Sequence, residues 1–333
     1  MQGEAQPTEP HRTPPAHATG GASDLASQLA PALREACAGR LSDIRWFRAD
    51  WQRGGASTGY ASFAFDDGPR EVVIKLPVGP VEHRFTTALA ATDAPTPRIA
   101  ASGMELGGYD LAWLVIERLP GEPLSRGAEA KVIRGMLEAA AVFQQRAGEL
   151  WAPEGRGPQA PWEDLVARAR EAVKANPIPE QQRWNEALKK VQRALPVMLG
   201  RWERRPIDAW CHGDLHMGNA MLRPEGSRWG GPGCVLLDLA EIHAGSWVED
   251  AVYLERICWG HSETLHGVKP VSTLARARRK LGLENGEHYN EIADLRRVLT
   301  ASCAPAFLHR EGAPAYLHAA LETIERLLPA IAH

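Results

Sequence analysis

Three side chains with oxygen donors, Asp214, Asn219 and Asp238, stand at a spacing that suits phosphoryl transfer. Asn219 follows Asp214 by five positions, and Asp238 comes nineteen residues after Asn219, at the end of an apolar run. In phosphoryl transfer one carboxylate sits beside the attacking hydroxyl, while an amide and a second carboxylate hold magnesium against the nucleotide phosphates. The pattern therefore predicts that three oxygen donors converge on one small volume.

Each of these residues also has an ordinary explanation when it is taken alone. Asp and Asn beside glycine are commonly chosen for turns and helix caps. The full string from Cys211 to Asn219 holds two histidines, two glycines and an asparagine in a set order. Because that order is much harder to obtain by accident than a single H-G-D, the string favours the functional interpretation.

A lysine and a glutamate upstream provide an independent test. The run Val72-Val73-Ile74-Lys75-Leu76 is typical of a buried strand that directs Lys75 toward a cleft, where a cation would hold the α- and β-phosphates of a nucleotide. Glu82 follows seven residues later on an expected helix and fits the carboxylate that pairs with such a lysine. Singly, each is more often a solvated surface residue. Their order before the catalytic string favours a nucleotide-binding pair.

A glycine-rich turn from Arg53 to Gly59 precedes this lysine. At Gly55 and Ser57, backbone amides could approach phosphate oxygens without obstruction by side chains. The turn lacks the full G-x-G-x-x-G pattern and is equally typical of a plain hairpin. Its position before Lys75 favours a phosphate-binding turn.

The string from His212 to Asn219 resembles, position by position, the H-G-D-x-H-x-x-N catalytic loop of the aminoglycoside phosphotransferase-like and choline-kinase-like phosphotransferases. The resemblance extends from about Leu41 to Leu254, and the last eighty residues match only as generic helices. It implies an α+β, bilobal, protein-kinase-like fold with a small antiparallel-sheet N-lobe and a mainly helical C-lobe. A protein kinase itself is disfavoured, because Gly213 replaces Arg and neither D-F-G nor A-P-E follows.

The same resemblance implies roles for the residues of the string. It implies that Asp214 is the catalytic base or hydroxyl-orienting residue and that Asn219 and Asp238 are Mg²⁺ ligands. Leu239 stands where the family commonly has an aromatic residue, which argues against regulation by a flipping phenylalanine. Asp250 resembles the aspartate that braces the catalytic loop, and its alternative is a helix first-turn acid.

Two further segments are interpreted through the resemblance. Residues 115–121 resemble the hinge between the lobes, in which main-chain groups of Glu117 and Leu119 would hydrogen-bond the adenine; the alternative is an ordinary strand that ends at Pro-Gly. Trp247, Trp259 and Tyr253 fall after the metal-binding aspartate, where the family builds its acceptor pocket, and are candidate pocket residues.

Periodicity of apolar residues supplies the elements that must position these groups. We expect a short helix, then three strands, a helix and two strands, over the ranges Pro31–Cys37, Ile44–Trp51, Tyr60–Phe65, Glu71–Leu76, Val81–Ala91, Arg98–Ala101 and Leu111–Arg118. We then expect long helices, a loop-and-strand insert and further helices, over Ala128–Leu150, Trp162–Ala175, Gln181–Trp202, Ala209–Ala244 and from Trp247 onward. This predicts a disordered tail over 1–22, a nucleotide-binding N-lobe over 23–120, and a C-lobe over 121–333 with the catalytic loop, metal site and acceptor pocket.

Composition limits the partners. Of 333 residues, 38 are Lys or Arg and 41 are Asp or Glu, and the net charge of −3 offers no electrostatic footprint for nucleic acid or an anionic membrane. Five widely spaced cysteines, no signal peptide and no long apolar run favour a reduced, cytoplasmic setting. We expect no nucleic acid partner, no membrane, and a monomer or homodimer.

The expected reaction is Mg²⁺-dependent transfer of the γ-phosphoryl group of ATP, or GTP, to a hydroxyl of a small molecule. From Ala251 to the C-terminus there are ten basic and nine acidic residues, so the acceptor side is not acidic. A polycationic aminoglycoside would favour an acidic pocket, so a sugar, amino alcohol or hydroxy amino acid is favoured as acceptor. The alternative is a catalytically silent, kinase-like nucleotide-binding or regulatory module.

Overall fold

The computed structural model describes residues 22–47, 56–125, 128–155, 157 and 159–331. The N-terminal part is a five-stranded antiparallel sheet of order β1-β2-β3-β5-β4, flanked by two helices. Its elements are α1 (Ala22–Ala36), β1 (Leu41–Phe47), β2 (Ser57–Phe65), β3 (Gly68–Leu76), α2 (Pro80–Ala90), β4 (Ile99–Gly103) and β5 (Trp113–Glu117). The predicted order of three strands, one helix and two strands is confirmed.

Alternation along β3 decides which way its lysine points. Val72, Ile74 and Leu76 are buried on one face, where they pack with Leu33 of α1 in a single apolar core. Because successive strand residues face opposite sides, Lys75 lies on the other face of the sheet. The sheet core therefore directs the lysine away from α1.

Helix α1 is longer than the sequence predicts. The sequence indicates a short helix from Pro31 to Cys37, whereas the helix begins at Ala22 and carries Pro31 inside it. Its apolar face covers the sheet, and this tertiary contact stabilises turns whose composition is weakly apolar. The expected tail over 1–22 lies outside the described residues except for Ala22, and β1 ends at Phe47, beyond which residues 48–55 are not described.

The remainder of the chain is mainly helical. Its helices are α3 (Ala130–Leu150), α4 (Trp162–Ala175), α5 (Gln181–Glu203), α6 (Val248–Ile257), α7 (Pro270–Lys280), α8 (Tyr289–Cys303), α9 (Leu308–Glu311) and α10 (Pro314–Ile331). Its strands are β6 (Ala209–Cys211), β7 (Ala220–Arg223), β8 (Gly233–Leu236) and β9 (His243–Gly245). β6 pairs with β9 and β7 with β8, both antiparallel.

These two short sheets hold the loops of interest side by side. The catalytic string occupies the connection from β6 to β7, and Asp238 lies in the connection from β8 to β9. Both connections run from one of these sheets to the other. Because β6 pairs with β9 and β7 pairs with β8, the two connections lie next to each other between the sheets. A core that includes α3, α6 and α7 supports them, while α4, α5, α8 and α10 form a second core.

Within the part of the chain that the structure describes, no helix is both long and apolar enough to traverse a bilayer.

Candidate active site

The catalytic loop, residues 212–219, has at Gly213 a backbone conformation that favours glycine. Gly213 has a φ of +84°, and a Cβ built on it would lie 2.1 Å from the carbonyl oxygen of Glu241. A side chain at this position would overlap that carbonyl, which explains why glycine stands where protein kinases carry Arg. The same contact presses the catalytic loop against the turn that follows Asp238.

Asp250 of α6 anchors the backbone of this loop. Its carboxylate accepts hydrogen bonds from the amides of His212 and Gly213, both at 3.0 Å, and it is 1% exposed. Gln144 of α3 donates to the same carboxylate at 3.1 Å. The bracing contact expected for Asp250 is therefore present. Gln144 gave no signal in the sequence, because a glutamine in a helix is mostly exposed.

His212 joins the catalytic loop to the segment before Asp238. Its fully buried ring bonds through Nε2 to the carbonyl oxygen of Leu237, at 2.8 Å, and its Nδ1 accepts from the amide of Asp214, at 3.3 Å. These partners place the proton on Nε2. Burial lowers the pKa of His212, so the ring is neutral and acts as a fixed connector between the two loops.

Donors surround the carboxylate of Asp214. Asn219 Nδ2 donates to Oδ2 at 2.8 Å, His216 Nε2 lies 3.5 Å from the same oxygen, and the Tyr253 hydroxyl donates to Oδ1. The contact with His216 is the main cause that lowers the pKa of Asp214, to about 2. The carboxylate is therefore ionised at neutral pH and can orient a hydroxyl. Sequence reasoning assigned Tyr253 to a pocket wall and missed this contact.

Asn219 and Asp238 are brought together as the sequence predicts, with donors that suit Mg²⁺. The amide nitrogen of Asn219 is engaged by Asp214, which leaves the amide oxygen as its group for a metal. The amide of Leu237 donates to the carbonyl oxygen of Asn219 at 2.8 Å, so Asp238 directly follows a residue bonded to Asn219. An amide oxygen and a carboxylate are hard oxygen donors of the kind Mg²⁺ uses beside phosphates. The residues present fit that ion.

Lys75 lies between two carboxylates. Its Nζ contacts Oε1 of Glu82 and lies 2.8 Å from Oδ1 of Asp238. Lys75 therefore connects the sheet to α2 and to the connection from β8 to β9. Burial lowers the pKa of Lys75, but the two carboxylates raise it and prevail, so the amine is protonated. The pairing of Lys75 with Glu82 that the spacing predicts is observed.

Opposite Lys75, the start of β2 continues the glycine-rich turn. In the β2–β3 ladder Ser57 pairs with Leu76, and Thr58 pairs with Lys75. Ser57 is therefore the neighbour, along β2, of the residue that pairs with Lys75. Gly55 lies outside the described residues.

An apolar patch lies beneath the segment that joins the lobes. Leu119, Met221 and Val235 are 6%, 8% and 1% exposed and form one cluster, with Leu237 packed against it. Sequence reasoning named Leu119 for its main chain and overlooked Met221 and Val235, since apolar residues of short strands look like ordinary core. The cluster joins the segment after β5 to β7 and β8.

The side chain of Glu117 has a partner that the sequence does not reveal. Arg223 of β7 donates from Nε and Nη2 to its two carboxylate oxygens, at 2.7 and 2.5 Å, and both side chains are buried. The main-chain amide of Glu117 donates to the carbonyl oxygen of Arg98 at 2.7 Å, and the adenine contact expected of its carbonyl oxygen stays a prediction. Glu117 thus links the sheet to the helical part.

The aromatic candidates divide into three outcomes. The prediction of Trp247 as a pocket residue is wrong, because its ring is fully buried in the core and its Nε1 donates to the carbonyl oxygen of Asn285. Trp259 is half-buried beside Tyr316, with ring centroids 5.7 Å apart. Tyr253 contacts Asp214 directly, so it lies at the site for a reason other than the one predicted.

Comparison with solved structures identifies the same architecture in known kinases. An aminoglycoside phosphotransferase from Alicyclobacillus acidocaldarius is 15% identical, with a TM-score of 0.53 over 89% of this chain and 94% of the other. A microcompartment-associated aminopropanol kinase is 14% identical, with a TM-score of 0.54 over 87% and 94%. A choline kinase from Cryptosporidium parvum is 11% identical, with a TM-score of 0.50 over 92% and 93%. Comparison with curated proteins yields no sequence match.

An antiparallel sheet whose lysine pairs with a glutamate of α2, together with a helical lobe that holds a braced H-G-D loop, defines a bilobal, protein-kinase-like phosphotransferase fold. The model of the phosphotransferase enzyme family, APH, matches residues 55–295, and the chain belongs to that family. The fold class and the resemblance inferred from the sequence are both confirmed.

Proposed function

We propose that this phosphotransferase moves the γ-phosphoryl group of ATP, or of GTP, to a hydroxyl of a small molecule with the help of Mg²⁺. The observation that carries the proposal is a chain of contacts. The protonated Lys75 lies 2.8 Å from Asp238, the residue before Asp238 donates to the carbonyl oxygen of Asn219, and Asn219 donates to the ionised Asp214. These groups come from three separate segments of the chain: β3, the catalytic loop and the connection from β8 to β9. Stability alone does not require so many charged and polar groups to lie together, because their partial burial carries a desolvation cost.

We assign each residue a task from its place in the chain and its chemistry. Main-chain groups of Glu117 and Leu119 bind the adenine, and the glycine-rich turn that contains Gly55 and Ser57 binds the phosphates. Lys75, held by Glu82, binds phosphate oxygens, because its amine is protonated. Asn219 and Asp238 hold Mg²⁺, which supplies charge neutralisation at the phosphates when it is bound.

Asp214 orients the acceptor. The acceptor oxygen bonds to the γ-phosphorus while the bond from that phosphorus to the bridging oxygen breaks, and the nucleoside diphosphate leaves. The hydroxyl proton passes toward Asp214 and then to solvent. A carboxylate with a pKa of about 2 is a weak base, so its main contribution is to position the hydroxyl and stabilise charge.

Charge on the acceptor side favours a neutral or singly charged small alcohol. Glu255 of α6 is paired with Arg297 at 2.7 and 2.9 Å. Glu311 of α9 is paired with Arg256 of α6. A polycation needs carboxylates that are free to compensate it, and these two are already engaged within the chain. We propose a sugar, an amino alcohol or a hydroxy amino acid as the acceptor.

The test is a screen for nucleoside diphosphate release. The protein is incubated with Mg·ATP or Mg·GTP and a panel of hydroxylated metabolites and aminoglycosides, with and without EDTA. We expect one acceptor class to stimulate release, and excess EDTA to abolish it until Mg²⁺ is restored. Stimulation by aminoglycosides alone would contradict the proposed acceptor class.

The variant Asp214→Ala separates the enzyme from a silent nucleotide-binding module. We expect turnover to fall by about 10²–10⁴-fold while nucleotide affinity stays unchanged, because Asp214 acts on the acceptor hydroxyl. The matched control is Asp164→Ala on α4, an exposed acid away from the catalytic loop. Nucleotide binding with no Mg²⁺-dependent turnover in the wild type would favour the silent module, and undiminished turnover in Asp214→Ala would overturn the role of Asp214.

A further inference from the structure

Helix α6 presents two side chains to the catalytic loop on one face. Asp250 accepts from the loop amides, and Tyr253, three residues later, donates its hydroxyl to Oδ1 of Asp214. Residues three apart on a helix lie on the same side. The helix therefore fixes the backbone of the loop with one residue and the reactive carboxylate with the other.

The two oxygens of Asp214 have different neighbours. Oδ2 accepts from Asn219 and faces Nε2 of His216, and both residues belong to the catalytic loop itself. His216 Nδ1 accepts from the amide of Gly218 at 2.9 Å, so its proton lies on Nε2 and points to Asp214. Oδ1 instead accepts from a hydroxyl that comes from another element. Oδ1 is therefore the oxygen of Asp214 that already binds a hydroxyl group, the phenol of Tyr253.

The ring of Tyr253 lies beside the side chains of His216 and Arg256. Its ring centroid lies 6.5 Å from that of His216, and the guanidinium carbon of Arg256 lies 6.0 Å from the ring on the same helix. Arg256 is itself bonded to Glu311 and to the hydroxyl of Tyr316, at 3.2 Å. Burial and the neighbouring Asp214 raise the pKa of Tyr253, so the phenol keeps its proton and remains a donor.

We propose that Tyr253 is a positioning residue whose hydroxyl occupies, in the resting enzyme, the place on Oδ1 that the acceptor hydroxyl takes, and so keeps water from being phosphorylated. This inference rests on the proposed function. In the unwanted reaction a water oxygen bonds to the γ-phosphorus, the bond to the bridging oxygen breaks, and ADP, phosphate and a proton are released. A water on Oδ1 would be oriented for that attack, whereas a bound phenol excludes it. The acceptor displaces the phenol and water cannot, because the acceptor has further contacts with its pocket.

The variant Tyr253→Phe keeps the ring and removes the hydroxyl. Phosphate release from Mg·ATP is measured without any added acceptor, so that water is the probe. We expect the kcat for hydrolysis to rise about tenfold with the KM for ATP unchanged, the size expected for loss of one hydrogen bond to a charged group. A merely structural contact would give the opposite sign, since a looser Asp214 would hydrolyse ATP more slowly.

The control is Tyr289→Phe, which removes a hydroxyl from α8, where the ring packs on Trp247 away from the catalytic loop. We expect its hydrolysis to match that of the wild type, and thermal unfolding verifies that both variants fold. Hydrolysis by Tyr253→Phe that is equal to or slower than that of the wild type overturns the inference but leaves the proposed function intact, provided that Asp214→Ala lowers turnover about 10²–10⁴-fold, as expected. Absence of any Mg²⁺-dependent nucleotide turnover, with folded protein, overturns both.

Discussion

Replacement of Glu117 by glutamine tests the buried ion pair that connects the sheet to the helical lobe. The side chains of Arg223 and Glu117 are 6% and 1% exposed, and the guanidinium contacts both carboxylate oxygens. Glutamine keeps the size of the side chain and removes its charge, so Arg223 is left buried and uncompensated. Loss of one partner from a buried pair costs about 3–5 kcal/mol, and we expect E117Q to lose that much of the free energy of unfolding.

The assay is urea unfolding followed by tryptophan fluorescence, arranged as a double-mutant cycle. R223M removes the other charge, and E117Q/R223M removes both. Since the double variant leaves no unpaired charge, we expect it to be no less stable than either single variant, which gives a coupling energy of at least about 3 kcal/mol.

The matched control is an exposed ion pair. Glu171 and Lys174 lie 3.0 Å apart on α4, with side chains 73% and 54% exposed. Glu171→Gln should change the free energy of unfolding by at most about 0.5 kcal/mol, because water screens such a pair. A loss below about 1 kcal/mol in E117Q, or additive losses in the cycle, would refute the role of the pair.

Two further predictions concern the catalytic loop and a buried acid. In Gly213→Ala the new Cβ meets the carbonyl oxygen of Glu241 2.1 Å away, so the melting temperature and turnover should both fall. The control is Gly226→Ala, which has a φ of +76° and open space around it and should lose only about 1–2 kcal/mol of the free energy of unfolding. Equal losses of stability in the two variants would contradict the steric cause. Burial raises the pKa of Glu249, but His243 and nearby arginines lower it to about 2, below its ordinary 4.5. Its stabilising contribution is therefore complete above about pH 4.5 and is lost toward pH 2, so the urea midpoint of the wild type should fall more across that window than that of Glu249→Gln; parallel profiles would count against it.

Local signals were sufficient for the order of elements. The helix predicted over Trp162–Ala175 has those bounds, and β3 carries Lys75 on the face that alternation indicates. Such signals act over a few residues, through spacing of apolar side chains and turn chemistry. They failed at α1, which begins at Ala22 and not near Pro31, because the sequence does not show that Leu29 and Leu33 pack on the sheet.

The site follows the same division. The string from His212 to Asn219 carries its chemistry in residue types and order, so the sequence proposes a catalytic carboxylate and metal ligands residue by residue, and those roles stay predictions. The predicted pairing of Lys75 with Glu82 is observed. Trp247 was misassigned because the sequence does not distinguish a tryptophan in the core from one in a pocket wall.

The amino-acid sequence by itself determined the family and the kind of fold, and it named the candidate site residues, since all of these are encoded in short patterns. Only the tertiary structure decided that Tyr253 donates to Asp214, 39 residues away, and that Arg223 pairs with Glu117 across 106 residues. Contacts of that kind depend on how separate elements pack against one another, and neither partner carries a mark of it in its own neighbourhood of the chain.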